Sequence, residues 1–325
     1  MNVIKQLKTY KFLVAIALVT NTLSIYAAER VVTEEEIDQA LDYINAQIKE
    51  GDVEGDYPRF TRVAIDYTKI NGNISDGRDT LLGAPYQDGD SDANILRAST
   101  NIQLSKDWLA GFSISNVSGD SLISQGAGEQ NNQITSDSSG YGITASLRYQ
   151  IIDWLAAGGF MGWSHGDGDT SETLFGFTNT YKYSGQGLGL YLTATHAFNE
   201  EINYSISPSY THIKSKSKYT NNTGFDNPFL TTHYTLAMWH LDQNLAYYFD
   251  ESKARVTGGY TIHMVGNETE SDSAARKTTT GTIYVGGSYL VAPEHGVEFY
   301  GVLTHDHGDS NYDSDSITFG IAKNF

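Results

Sequence analysis

Three groups of residues carry the side chains that acid–base or metal chemistry uses. His165, Asp167 and Asp169 alternate within one short segment, and His305, Asp306, His307 and Asp309 form a second cluster. An imidazole beside a carboxylate can activate a water or hold a divalent ion. Asp88-Gly89-Asp90-Ser91-Asp92 has the opening of a calcium-binding loop, but Ala93 stands where such a loop needs glycine and Ser99 where it needs glutamate. A solvated acidic loop is the expectation there. Cysteine is absent, which removes thiol catalysis, disulfides and thiolate-bound metals. No G-x-S-x-G motif marks a lipase-like serine. Polar clusters of this kind also arise from composition alone in loops rich in aspartate. The sequence therefore predicts no enzyme, no cofactor and no metal, with a His/Asp hydrolytic site as the alternative.

The elements that would position these groups are strands. The chain has 325 residues, 39 acidic against 21 basic, and a formal charge of −18. That balance argues against nucleic acid, whose phosphates need a basic surface. Glycine (32), tyrosine (22) and phenylalanine (13) are plentiful, unlike in a disordered acidic chain. Residues 1–27 read as a signal peptide: Lys5, Lys8 and Lys11 precede the apolar run Phe12–Val19, and Ala27 and Ala28 offer a cleavage site. The run is too short to span a bilayer as a helix. Within 28–57, Thr33–Glu50 is the one clear helical segment, with Ile37, Ala40, Leu41, Ile44 and Ile48 on one stripe. From 58 to 325 the period is two. About twelve strands are expected, at 59–69, 94–104, 108–118, 140–152, 154–164, 183–198, 202–213, 233–249, 254–266, 279–291, 297–305 and 316–325.

Alternation alone fits a soluble sandwich as well as a membrane barrel. Three features favour the barrel. Connections alternate between short turns, such as Ser105–Asp107, Asp153 and Asn199–Glu201, and polar loops expected at 70–93, 119–139, 214–232 and 267–278. Outer-membrane barrels have this asymmetry. Trp108, Trp154, Phe198, Tyr247 and Phe249 border the short turns, where an interfacial aromatic girdle belongs. The last strand carries Ile317, Phe319, Ile321 and Phe325 on one face, and closing it on the first strand removes an open edge that lipid could not satisfy. The fold expected is all-β: a closed antiparallel transmembrane β-barrel of about 12 strands, preceded by one N-terminal α-helix. Alternation assigns Arg62, Asp66, Arg97, Arg148, Asp242, Arg255 and Glu298 to the lumen. Their mixed signs suit ordinary solvation of a polar interior rather than an ion-selective filter.

Gly140-Tyr141-Gly142, the strand ending Arg148-Tyr149, the run into Trp163-Ser164-His165-Gly166-Asp167, and Gly187-Leu188-Gly189-Leu190-Tyr191 leading to Phe198 succeed one another in order. With the terminal SITFGIAKNF, they resemble the β-barrel domain of the autotransporter family over roughly 58–325. The resemblance implies a twelve-stranded outer-membrane barrel of a Gram-negative bacterium, with the helix at 33–50 in the pore. Glu34–Glu36 would then lie near luminal arginines. It further implies lipid bilayer and lipopolysaccharide as partners, and the barrel-assembly machinery through a final strand ending in Phe325. Two departures stand out. About 30 residues precede the barrel, too few for the usual secreted passenger, and Lys323 occupies a position more often apolar or aromatic. A minimal pore, a surface-exposed barrel working through its loops, and a small diffusion porin are the functions left open.

Overall fold

The computed structural model describes residues 57–76, 86–127, 130–172, 178–221, 232–249, 253–268, 278–307 and 312–325. The signal-peptide and helix expectations lie outside the described residues.

Among these, alternating sequence becomes twelve antiparallel strands: β1 (Arg59–Asp76), β2 (Tyr86–Gln103), β3 (Trp108–Ala127), β4 (Gln130–Ile152), β5 (Leu155–Glu172), β6 (Thr178–Ala197), β7 (Ile202–Asn221), β8 (Thr232–Phe249), β9 (Ala254–Glu268), β10 (Thr278–Ala292), β11 (Val297–His307) and β12 (Tyr312–Asn324). They close into one barrel in chain order. Closure is made by β12 on β1, with Ile65 opposite Ile321 and Tyr67 opposite Phe319. The Tyr67 and Phe319 rings pack at 5.3 Å. Antiparallel partners share a face, so the register sorts every strand. Tyr141, Leu190, Trp239, Val285, Phe299 and Phe319 are among the large apolar side chains that stay exposed on the outer face. The inner face carries polar groups. An exposed apolar surface running round a closed sheet is the reverse of a soluble core, and its natural solvent is hydrocarbon.

Four of the short turns have a local cause among the described residues. The Gln103 amide donates to the carbonyls of Ser105 (2.5 Å) and Lys106 (3.2 Å). Gln150 does the same for Ile152 at 2.6 Å. Asn199 Oδ1 accepts from the backbone N–H groups of Glu201 (2.9 Å) and Ile202 (2.7 Å). Between β10 and β11 a 3-10 turn, Pro293–His295, ends on Gly296 at φ 66°, a conformation that favours glycine.

The long-loop expectation is corrected at the opposite end. Residues 119–139 are not a polar loop: β3 and β4 pair continuously through Asp120–Asp137 and on to Ala127–Gln130. β1, β2 and β7 likewise run into 70–93 and 214–232. Backbone ladder bonds, not apolar side chains, hold these extensions, so a hydrophobic pattern cannot reveal them. Asp88–Asp92 accordingly lies within β2 rather than in a loop.

Candidate functional site

The inner face holds two polar networks. The first spans the closure. Asp66, 3% exposed, accepts from Arg97 Nε at 3.1 Å and from the Tyr300 hydroxyl at 2.9 Å. Arg97 also pairs with it through its terminal nitrogen at 3.1 Å. Arg62 stacks its guanidinium 5.0 Å from the Tyr300 ring centroid and reaches Glu298 at 3.6 Å. Asn324 donates to the same Glu298 at 3.1 Å. Charges of both signs thus sit within one hydrogen-bonded set over β1, β2, β11 and β12. Ser288 on β10 stands opposite Tyr300, and Arg255 on β9 stands opposite Ser288, so both continue the set on the same inner face. This set unites Arg62, Asp66, Arg97, Arg255 and Glu298. Tyr300 and Asn324 belong to it too and were not singled out by charge, although both follow from alternation with Glu298 and Ala322.

The second network lies on β8–β12. Asp242 accepts from Thr261 (2.7 Å) and Tyr284 (3.2 Å), and Asn244 donates to Tyr284 at 2.9 Å. Nearby, the Nδ1 atoms of His240 and His263 are 2.6 Å apart, and His263 Nε2 meets Thr282 Oγ1 at 2.8 Å. Thr282 in turn bonds Asp306, which also accepts from Ser314 at 2.9 Å. Arg148 stands away from both sets and donates to Gln150 at 3.1 Å.

Inner tyrosines lie flat against the wall over glycines. A Cβ on Gly320 would sit 2.6 Å from the Tyr300 ring, and one on Gly158 would collide with Tyr191. Glycine is required there by close approach, not by backbone angle. The Gly-rich strands therefore serve packing within the lumen.

The second His/Asp cluster is divided between the two faces of β11, and the first is spread along the outer face of β5. His305 and Asp306 point to opposite faces of β11. His305 pairs outside with Asp315 at 2.8 Å, while Asp306 bonds Thr282 inside. His307 stacks outside on Tyr260, ring centroids 5.8 Å apart. Asp309 lies outside the described residues. His165 packs against the Tyr141 ring at 5.9 Å, and Asp167 and Asp169 lie beyond it on the outer face without converging on it. Among the described residues no three His, Asp or Glu side chains are grouped to hold a metal. Consecutive residues on a strand alternate faces, which is why adjacency in sequence misleads here.

On the outer face, Trp108, Trp154, Phe198, Tyr247 and Phe249 are all exposed beside the short turns. Trp108 packs on Tyr149 at 4.8 Å and Tyr247 on Phe249 at 5.9 Å. A second aromatic tier sits eight residues further along, at Tyr141 on β4 and Trp239 on β8, joined by Trp163 and Tyr210. The Tyr210 and Trp239 rings are 4.9 Å apart. At ~3.4 Å per residue and a strand tilt of ~40°, the tiers are roughly 20 Å apart, close to the height of an outer-membrane apolar band. This upper tier was legible only as a repeat of the lower one at constant parity. Phe325 closes the seam, its backbone N–H donating to Thr61 at 3.2 Å, and Lys323 lies 5.4 Å from its ring centroid.

The barrel has the fold of an autotransporter translocator domain. It is similar to the translocator domain of the autotransporter NalP from Neisseria meningitidis, with 11% identity and a TM-score of 0.63 over 89% of this chain and 98% of that one. It is also similar to the transport unit of the autotransporter AIDA-I from Escherichia coli, at 9% identity and a TM-score of 0.58 over 87% and 97%. An outer membrane channel from Pseudomonas putida F1 matches at 12% identity and 0.51 over 84% and 100%. No protein-family model matches the chain, and no curated protein matches it. At these identities the likeness is one of fold.

Proposed function

We propose that this chain is a non-enzymatic integral outer-membrane barrel of a Gram-negative bacterium that presents a hydrogen-bonded polar wall at the cell surface. Export through the signal peptide at 1–27 and insertion by the assembly machinery acting on the Phe325 strand complete the reading. One observation carries it: two aromatic tiers bound an apolar outer band, and β2–β7 continue well beyond the upper tier with polar residues on both faces. A membrane crossing needs ~9–11 residues, whereas these strands have 18 to 23. The test uses the absence of native cysteine. Asp169→Cys should react with a membrane-impermeant maleimide on intact cells, and Lys106→Cys, in a short turn, only after permeabilisation. Equal labelling of both would reject this topology.

A second reading, a small pore, is favoured by the charged inner face. Planar-bilayer conductance tests it. If the segment at 33–50 occupies the lumen, deleting it should raise conductance. Conductance indistinguishable from bare bilayer in both forms would remove the pore. The rim-hydrolase alternative keeps one His–carboxylate pair, His305 with Asp315 at 2.8 Å, and turnover on ester and peptide panels that vanishes on replacing His305 would support it.

A further inference from the structure

The outer face above the upper aromatic tier is divided by charge. On β2–β5, one cross-strand row reads Asp92, Asp120, Asp137, Asp169. On β6 and β7 the same height is basic: Lys214, Lys216 and Lys218 alternate with serines, so all three share the outer face, and Lys182 stands directly opposite Lys218. All four lysines are exposed. This concentration occurs in a chain of formal charge −18.

We propose that the outer face of β6–β7 binds the phosphate-bearing headgroup of an outer-leaflet glycolipid through Lys182, Lys214, Lys216 and Lys218. The inference rests on the outer-membrane reading above. Height supports it first. Lys214 lies four residues beyond Tyr210, which pairs with Trp239 at the band's upper edge. At ~3.4 Å per residue and ~40° tilt that places its Cα roughly 10 Å above the ring pair, in the headgroup layer. Lysine stems lie along apolar surface while their ammonium groups seek polar partners, so the lower two can reach phosphates at that level. Neighbours support it second. Across the ladder Lys214 faces Gln186 and Thr235, and Lys216 faces Ser184 and His233. No carboxylate stands directly opposite either one. Asp167 is the register neighbour of Lys182. Charge complementarity supports it third: a stripe of lysines sharing one face favours phosphate anions at this level. A phosphorylated sugar headgroup presents several such anions on one rigid frame, matching lysines spaced ~7 Å apart along a strand.

The test uses the full chain in detergent micelles, titrated with lipid A carrying both phosphates or with enzymatically dephosphorylated lipid A. Wild type should bind the phosphorylated form at least tenfold more tightly. The triple variant Lys214→Gln, Lys216→Gln and Lys218→Gln should lose that preference, and Lys106→Gln at the short turns should keep it. Heat-modifiable migration on gels verifies that each variant is folded. Equal binding of both lipids by wild type, or an unchanged preference in the folded triple variant, overturns the proposal. So does full competition by millimolar inorganic phosphate, which would show a free-ion site. Loss of binding in EDTA also overturns it, because the headgroup would then be bridged by a metal on the acidic row. A barrel that needs detergent yet shows no preference would refute this inference while leaving the outer-membrane reading intact.

Discussion

The wall of the barrel has two heights. β2–β7 run 18 to 23 residues, whereas β9–β12 run 11 to 15. Both parts share the same ladder and the same alternation near the short turns. They differ at the far end of each strand. In the low wall, strands end soon after their outward apolar residues, such as Met264, Ile283 and Leu303. In the tall wall, outward positions pass through Tyr141 and Trp163 into Asp137, Asp167, Asp169 and the lysines of β7. Both inner polar networks centre on the low wall and the strands flanking it, and its stability depends on buried partners. The tall wall depends on backbone bonds and tolerates like charges side by side, as Asp120, Asp137 and Asp169 show. Membrane-level structure is thus tightly specified, whereas the extension is specified by pairing alone.

The largest expected effect breaks the low wall. Gly320→Val would drive a side chain into the Tyr300 ring and the Ile65 carbonyl, and overpacking should cost ~3 kcal/mol at the closing seam. Loss of the heat-modifiable form on gels is the readout, and a fully folded variant would contradict close packing of Tyr300. Asp66→Ala comes next, because it leaves Arg97 and Tyr300 without their shared acceptor. A cost of ~2 kcal/mol is expected in denaturant unfolding from micelles. The girdle yields a smaller effect: Trp154→Ala and Trp239→Ala should each cost ~1.5 kcal/mol, provided both tiers lie at interfaces. A cost at only one of them would show that the tiers do not both bound the band. The smallest effect has the opposite sign. Asp137→Asn should stabilise the tall wall by ~0.5 kcal/mol at low salt, with the gain fading as salt screens its neighbours. No gain at low salt would show that the acidic row is already neutralised.

The strand ends beside the short turns were legible to within a residue or two, because Gln103, Gln150 and Asn199 lock those turns locally and the aromatics flank them. The far ends were not. Ser136, Ser138 and Thr180 give no apolar signal, and only cross-strand pairing shows them to be strand. In the lumen, the charged residues stood out by type and parity. Which of them meet was not visible, since Asp66 and Tyr300 are far apart in the chain and join only through the β12–β1 seam.

The sequence alone determined which side of each membrane-level strand is greasy, because a period of two assigns faces without reference to any partner. It also determined where the chain turns sharply. Tertiary structure decided the rest: the height of the wall, the splitting of His305 from Asp306, and the charge division of the outer surface. Those depend on register, and register places residues from different strands side by side in a way that no single strand encodes.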